Sequence, residues 1–126
     1  MRVLCVNRDR FQLDDMMETV SKVVPGADVT PCRDPSEAAE LVRKEGCDVL
    51  LTGIDMGAEQ NEGLRVARRA QEVNPRINII FVTVCSEWEY IREVLALRVS
   101  GYVVRPYRPA ALAEEFANLR YPVATA

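Results

Sequence analysis

Histidine is missing from this 126-residue chain. Its absence removes both the commonest general base and the commonest metal ligand. The four cysteines, Cys5, Cys32, Cys47 and Cys85, are widely spaced and form no Cys-x-x-Cys pair. Zinc-site cysteines come in close pairs, and cysteine in or beside a strand behaves as a small buried hydrophobe. These residues therefore read as buried thiols rather than a metal or redox site. No apolar run approaches the ~18–20 residues of a transmembrane helix, so no membrane contact is expected. The opening MRVLCVNRDR lacks the long apolar core of a secretory signal, which makes the cytoplasm the default compartment. There is also no surplus of basic charge. A net charge of -3 argues against a nucleic-acid-binding surface and against a polybasic membrane patch. Internal repeats, low-complexity tracts and linkers are absent too.

What the chain does have is a composition of 48% hydrophobic and 28% charged residues, ordinary for one soluble globular domain. Short apolar runs alternate with helical periodicity five times. The strands are read at Arg2–Val6, Ala27–Cys32, Asp48–Ile54, Ile77–Val84 and Gly101–Val104. Pro31 cannot donate to a ladder, which puts the second strand at a sheet edge. "INIIFVTV" is apolar almost throughout, as expected of a central strand covered on both faces.

Between the strands, Phe11 to Val24 places Phe11, Met16, Val20, Val23 and Val24 at helical spacing before Pro25-Gly26. Asp34-Pro35-Ser36-Glu37 caps a second helix carrying Ala38, Leu41 and Val42 and ending at Gly46. Gly63 to Val73 is amphipathic through Leu64, Ala67, Ala70 and Val73. Ser86-Glu87-Trp88-Glu89 opens a fourth helix with Ile91, Val94 and Leu95 inward, and Pro109 opens a fifth with Leu112, Phe116 and Leu119. Helices between short apolar strands indicate βαβ units and a parallel sheet. The expected fold is α/β: a doubly wound (βα)5, flavodoxin-like three-layer sandwich over residues 1–120, with strand order 2-1-3-4-5. Residues 121–126 form a frayed tail or linker stub.

In such a fold any ligand lies beyond the carboxyl ends of the strands. The strand ends deliver Asn7-Arg8-Asp9, Gly53 to Asp55, Thr83 and Arg105-Pro106 to one rim. With "VNRD", "DVLLTGIDM", "IIFVT" and "SGYVVRPY" in these places, nearly the whole chain resembles the receiver domains of two-component response regulators. "FVT" before a Ser/Glu-started helix, followed by "GYVVRP", looks especially like the receivers of LytTR-type regulators.

The resemblance implies a site in which an acidic pair after the first strand holds Mg²⁺ and an aspartate after the third accepts a phosphoryl group. A Ser/Thr after the fourth strand and a Lys after the fifth contact that group. Here the acidic pair is Asn7 and Arg8, and the Lys position is Arg105. Matching "DVLLTGIDM" to the family's D-x-x-x-x-D-x-x-M puts Gly53 at the acceptor position, and Thr83 alone is unaltered. An amide and an arginine do not make the hard anionic ligand set that Mg²⁺ requires, and glycine has no nucleophile. The expectation is a pseudo-receiver with no cofactor, Mg²⁺ binding lost, and no catalytic activity.

A rival register makes Asp55 the acceptor, because spacing downstream of it to Gly63, Asn74-Pro75 and Thr83 needs no gap. The two registers differ in where two extra residues lie, in the loop Gly57–Glu62 or inside the strand. Loops tolerate insertions far better, which favours Gly53.

Individual residues have plainer readings as well. Arg8 is either a solvated rim residue or a replacement for the metal, pairing with Asp9, Asp48 or Asp55. Asn7 reads as a turn-former and Thr83 as a strand-end residue or an anion contact. Tyr102 stands where the family has its aromatic switch and could equally be a half-buried edge-strand aromatic. Trp88 is a partly exposed anchor. Arg105-Pro106 matches a family position whose peptide bond is usually cis.

Two functions follow from different classes. One is a phosphorylation-independent module that binds a protein partner, or a second copy of itself. Its surface would be the fourth helix, fifth strand and fifth helix, roughly Ser86 to Leu119, and a DNA-binding LytTR domain could follow as output. The other is an anion-binding module using Arg8, Thr83 and Arg105. A working phospho-acceptor using Asp55 is the third possibility.

Overall fold

The computed structural model describes residues 1–54, 56, 61–84 and 98–124. The fourth helix expected from Ser86, with Cys85 and Trp88, lies outside the described residues, as do Asp55 and most of the loop after it. The elements in chain order are β1 (Arg2–Val6), α1 (Arg10–Val23), β2 (Asp28–Cys32) and a 3-10 turn (Pro35–Glu37) leading into α2 (Ala38–Glu45). Then come β3 (Val49–Thr52), α3 (Glu62–Val73), β4 (Asn78–Val84), β5 (Gly101–Arg105) and α4 (Pro109–Asn118). All neighbouring strands pair in parallel in the order β2-β1-β3-β4-β5, the expected doubly wound topology.

Residue alternation along the strands splits the core in two. Leu4, Val6, Leu50, Ile79 and Phe81 pack with Ala38 and Val42 of α2 and Leu64 and Ala67 of α3. Val3, Cys5, Val49, Leu51, Ile80 and Val82 pack on the other face with Met16 and Val20 of α1 and Leu112 and Phe116 of α4. Both faces of the central strands are therefore dry, which is why β1, β3 and β4 read as continuous apolar runs. The thiols of Cys5, Cys32 and Cys47 are buried as expected. Burial pushes the Cys5 thiol up to about 12 and Cys32 up to about 11.

The ends of the helices are set by local chemistry. Asp9 caps α1, its carboxylate accepting from the N–H groups of Phe11 and Gln12. Asp34 does the same for Ser36, so Pro35 starts a 3-10 turn before the α-helix proper. Gly46 closes α2 at φ 67°, a left-handed conformation that glycine adopts without cost. Pro31 sits on the edge strand β2, opposite Cys5.

Some expectations need correction. Phe11 is 84% exposed, because it lies about 160° around α1 from Leu13, which with Met16, Val20 and Val23 forms the inward stripe. Val73, in the last turn of α3, is 40% exposed. The third strand leaves its ladder after Thr52, two residues early, although Ile54 stays buried. Through Ala124 the tail packs back instead of fraying. Tyr121 and Val123 lie on the second core, and the Ala124 N–H donates to the Val23 carbonyl at 2.8 Å.

Candidate functional site

The strand order reverses between β1 and β3, so the chain segments leaving these two strands flank the switch point of the sheet. β3 runs in unbroken register against β1, from Val3 opposite Val49 to Val6 opposite Thr52, and against β4 from Asn78 to Phe81. Gly53 is the first residue past the ladder, its N–H 3.4 Å from the Val6 carbonyl. A Cβ built on Gly53 would lie 3.5 Å from Nδ2 of Asn7 and 3.1 Å from Cγ of Met56. Asn7 and Gly53 are thus brought face to face on the rim.

Asn7 is buried and both ends of its amide are hydrogen-bonded. Its Oδ1 accepts from the Asp9 N–H at 2.9 Å, an Asx-type turn leading into the α1 cap. Its Nδ2 donates to Oε1 of Gln12 at 3.0 Å. Here the plain reading of Asn7 as a turn-former matches the geometry.

Arg8 pairs with Glu62, which is not among the expected partners; Asp55 lies outside the described residues. Asp9 is occupied by the α1 cap. Asp48 lies at the amino end of β3, where its Oδ2 accepts from the Arg2 N–H at 2.8 Å. Arg8 instead donates from Nε to Oε1 of Glu62 at 2.6 Å and from Nη2 to Oε2 at 2.8 Å. The Glu62 side chain is only 10% exposed and that of Arg8 38%. A planar fork meeting a carboxylate with two bonds is the strong geometry for this pair. It ties the loop after β1 to the first residue of α3.

The approach of α3 is very close. The Gly63 N–H donates to the Ile54 carbonyl at 2.7 Å, and a Cβ on Gly63 would fall 1.7 Å from the Gly53 carbonyl oxygen. Only glycine lets the helix start here, and that start is what places Glu62 within reach of Arg8. Sequence reasoning missed Glu62 because it sat in a stretch read as polar loop. An acidic residue beside a helix-opening glycine was the available signal.

Thr83 is buried near the end of β4, opposite Val104 of β5. Tyr102 is half-buried on the edge strand and packs against the first core. The Arg105-Pro106 bond is cis. The Arg105 guanidinium lies 5.7 Å from the centre of the Tyr107 ring. Its Nε and Nη2 are buried and find no hydrogen-bond partner among the described residues. The two rim arginines therefore engage different partners, Arg8 on α3 and Arg105 on Tyr107.

Comparison with known proteins agrees with this architecture. Residues 3–117 match the family model described as the response regulator receiver domain. No curated protein matches the chain. Among solved structures, a response regulator receiver domain protein from Clostridium thermocellum superposes with a TM-score of 0.80 at 15% identity, covering 93% of this chain and 91% of that one. The chemotaxis protein CheY4 from Vibrio cholerae gives 0.79 at 20% identity, over 92% and 95%. A CheY-like receiver domain protein from Methanospirillum hungatei gives 0.81 at 21%, over 94% and 91%. At these identities the structures establish the fold, and the family model covers most of the chain; this chain belongs to the response regulator receiver domain family.

Proposed function

We propose that this chain is a pseudo-receiver: a receiver domain of two-component signalling that works as a non-enzymatic protein-interaction module without being phosphorylated. The observation that carries the reading is the fork of Arg8 on Glu62. A guanidinium held beside the rim puts fixed positive charge where a divalent cation would need anionic oxygens. Asn7 offers a neutral amide oxygen, already accepting from the Asp9 N–H, where the ion would need a carboxylate. Gly53 contributes no side chain. This donor set does not fit Mg²⁺, and no step is derived through the ion.

The unbroken β3 ladder supports Gly53 as the acceptor position, because extra residues then belong to the loop and not the strand. The space beside Asn7 that a side chain at this position would enter points the same way. Asp55 lies outside the described residues.

The expected fourth helix lies outside the described residues, and the partner surface on this reading is the β5–α4 face. Val104 is 38% exposed there, and Tyr102, Pro106 and Tyr107 line a cleft of about 450 Å³ against α4. The test has two arms. Amide resonances of Asn7 to Asp9 should stay fixed through millimolar Mg²⁺, and Val104→Arg should abolish partner binding or self-association without unfolding the domain. Mg²⁺-dependent shifts at those amides would overturn the reading.

A second reading, an anion site at Thr83 and Arg105, is favoured by the two unpartnered nitrogens of Arg105. Calorimetric titration with inorganic phosphate separates it, since an Arg105→Gln variant would then lose the heat seen with the parent.

A further inference from the structure

A second cleft, away from the β5–α4 face, lies between the 3-10 turn before α2 and the first half of α3. Its volume is about 330 Å³, and Arg8, Pro35, Ser36, Glu62, Arg65 and Arg69 line it. Three guanidinium groups and one carboxylate give this wall a surplus of positive charge, in a chain whose net charge is -3. The single carboxylate is already spent on Arg8, which it holds rigidly from a buried position.

Arg65 and Arg69 are both exposed and lie one turn apart on α3, on one face. Like charges at this spacing destabilise a helix by a few tenths of a kcal/mol. Arg69 forms no ion pair among the described residues. Pro35 and Val66 supply an apolar wall; Ser36 also lines the cleft, its hydroxyl donating to Asp34 Oδ1 at 2.7 Å. The volume is at the lower end of the range for small-ligand sites, roughly 300–1,000 Å³.

We infer that this cleft binds the diphosphate group of a small molecule. The four-residue step from Arg65 to Arg69 spans about 6 Å along the helix, which suits two linked phosphates better than one. Guanidinium forks favour phosphate oxygens through paired hydrogen bonds. Arg8 also lines the cleft, but its fork is committed to Glu62, so Arg65 and Arg69 carry the charge of the site. This site does not depend on whether the domain accepts a phosphoryl group.

The test is calorimetric titration of the full chain with inorganic pyrophosphate and with ADP, in low salt and then in added NaCl. Saturable binding that weakens with salt is expected. Arg65→Gln and Arg69→Gln should each weaken it about 5-fold, from the loss of one exposed charge-assisted contact, and the double variant should abolish it. Arg69 is exposed and forms no ion pair among the described residues, so the thermal melt of Arg69→Gln should match the parent. Lys22→Gln, on α1, should leave binding unchanged. Absence of binding by either probe, binding undiminished in the double variant, equal loss in Lys22→Gln, or citrate binding as tightly as pyrophosphate would each overturn the assignment.

Discussion

Replacing Arg8 with methionine keeps the apolar stem of the side chain and removes its fork, leaving the Glu62 carboxylate nine-tenths buried with its two short bonds gone. Breaking a fully buried pair in this way costs about 3–5 kcal/mol. The Arg8 side chain is 38% exposed, so water recovers part of that, and we expect a loss of about 2–3 kcal/mol. For a domain of this size that corresponds to a fall in Tm of roughly 6–15 °C. Glu62→Gln should cost less, about 1 kcal/mol, because the freed guanidinium can turn to solvent while the amide keeps one acceptor. The double variant should be about as stable as Glu62→Gln alone, a coupling of about 1.5 kcal/mol or more. Urea unfolding followed by circular dichroism measures all four proteins, with midpoints shifting at constant slope. A loss below about 0.5 kcal/mol for Arg8→Met, or a cycle additive within that error, would refute the claim that this pair joins the β1 loop to α3.

Two glycines give opposite expectations. A Cβ at Gly63 would meet the Gly53 carbonyl oxygen at 1.7 Å, so Gly63→Ala should cost about 3 kcal/mol or more, or prevent folding, as read by circular dichroism and urea melts. A Cβ at Gly53 meets only the flexible Met56 side chain at 3.1 Å, so Gly53→Ala should change stability by less than about 1 kcal/mol in the same assay. Alkaline pH should destabilise the domain through Cys5. With its thiol held near about 12 against an ordinary 9.0, the unfolded chain loses the proton first. Stability is therefore full below pH 9 and falls by up to about 1.4 kcal/mol per pH unit above it. Urea melts at pH 8 and pH 10 should show a steeper loss for the parent than for Cys5→Ala, and equal slopes would contradict the burial argument.

Much of the fold was legible because apolar runs, caps and breakers agree with one another. Asp34 caps where a short acidic side chain precedes helical periodicity, Gly46 stops α2, and Pro31 marks an edge. Phe11 misled because its five-residue step to Met16 is about 140° around the helix, off the stripe of Leu13, Met16, Val20 and Val23. The residues of the rim were legible as positions, but their partnerships were not. Glu62 lies 54 residues from Arg8, and no local pattern links them. The union depends on α3 starting against Gly53, which in turn depends on the missing side chain of Gly63. Arg105 shows the same limit, since its stacking on Tyr107 follows from the turn between β5 and α4 and not from helical or strand spacing.

The central claim is that this receiver domain has lost phosphoryl capture. Intact mass spectrometry of the chain incubated with acetyl phosphate and Mg²⁺, read before and after base treatment, tests it most directly. The account predicts an unchanged mass under conditions that label a working receiver in parallel. A base-labile phosphoryl adduct, mapped by peptide analysis to Asp55, would contradict it.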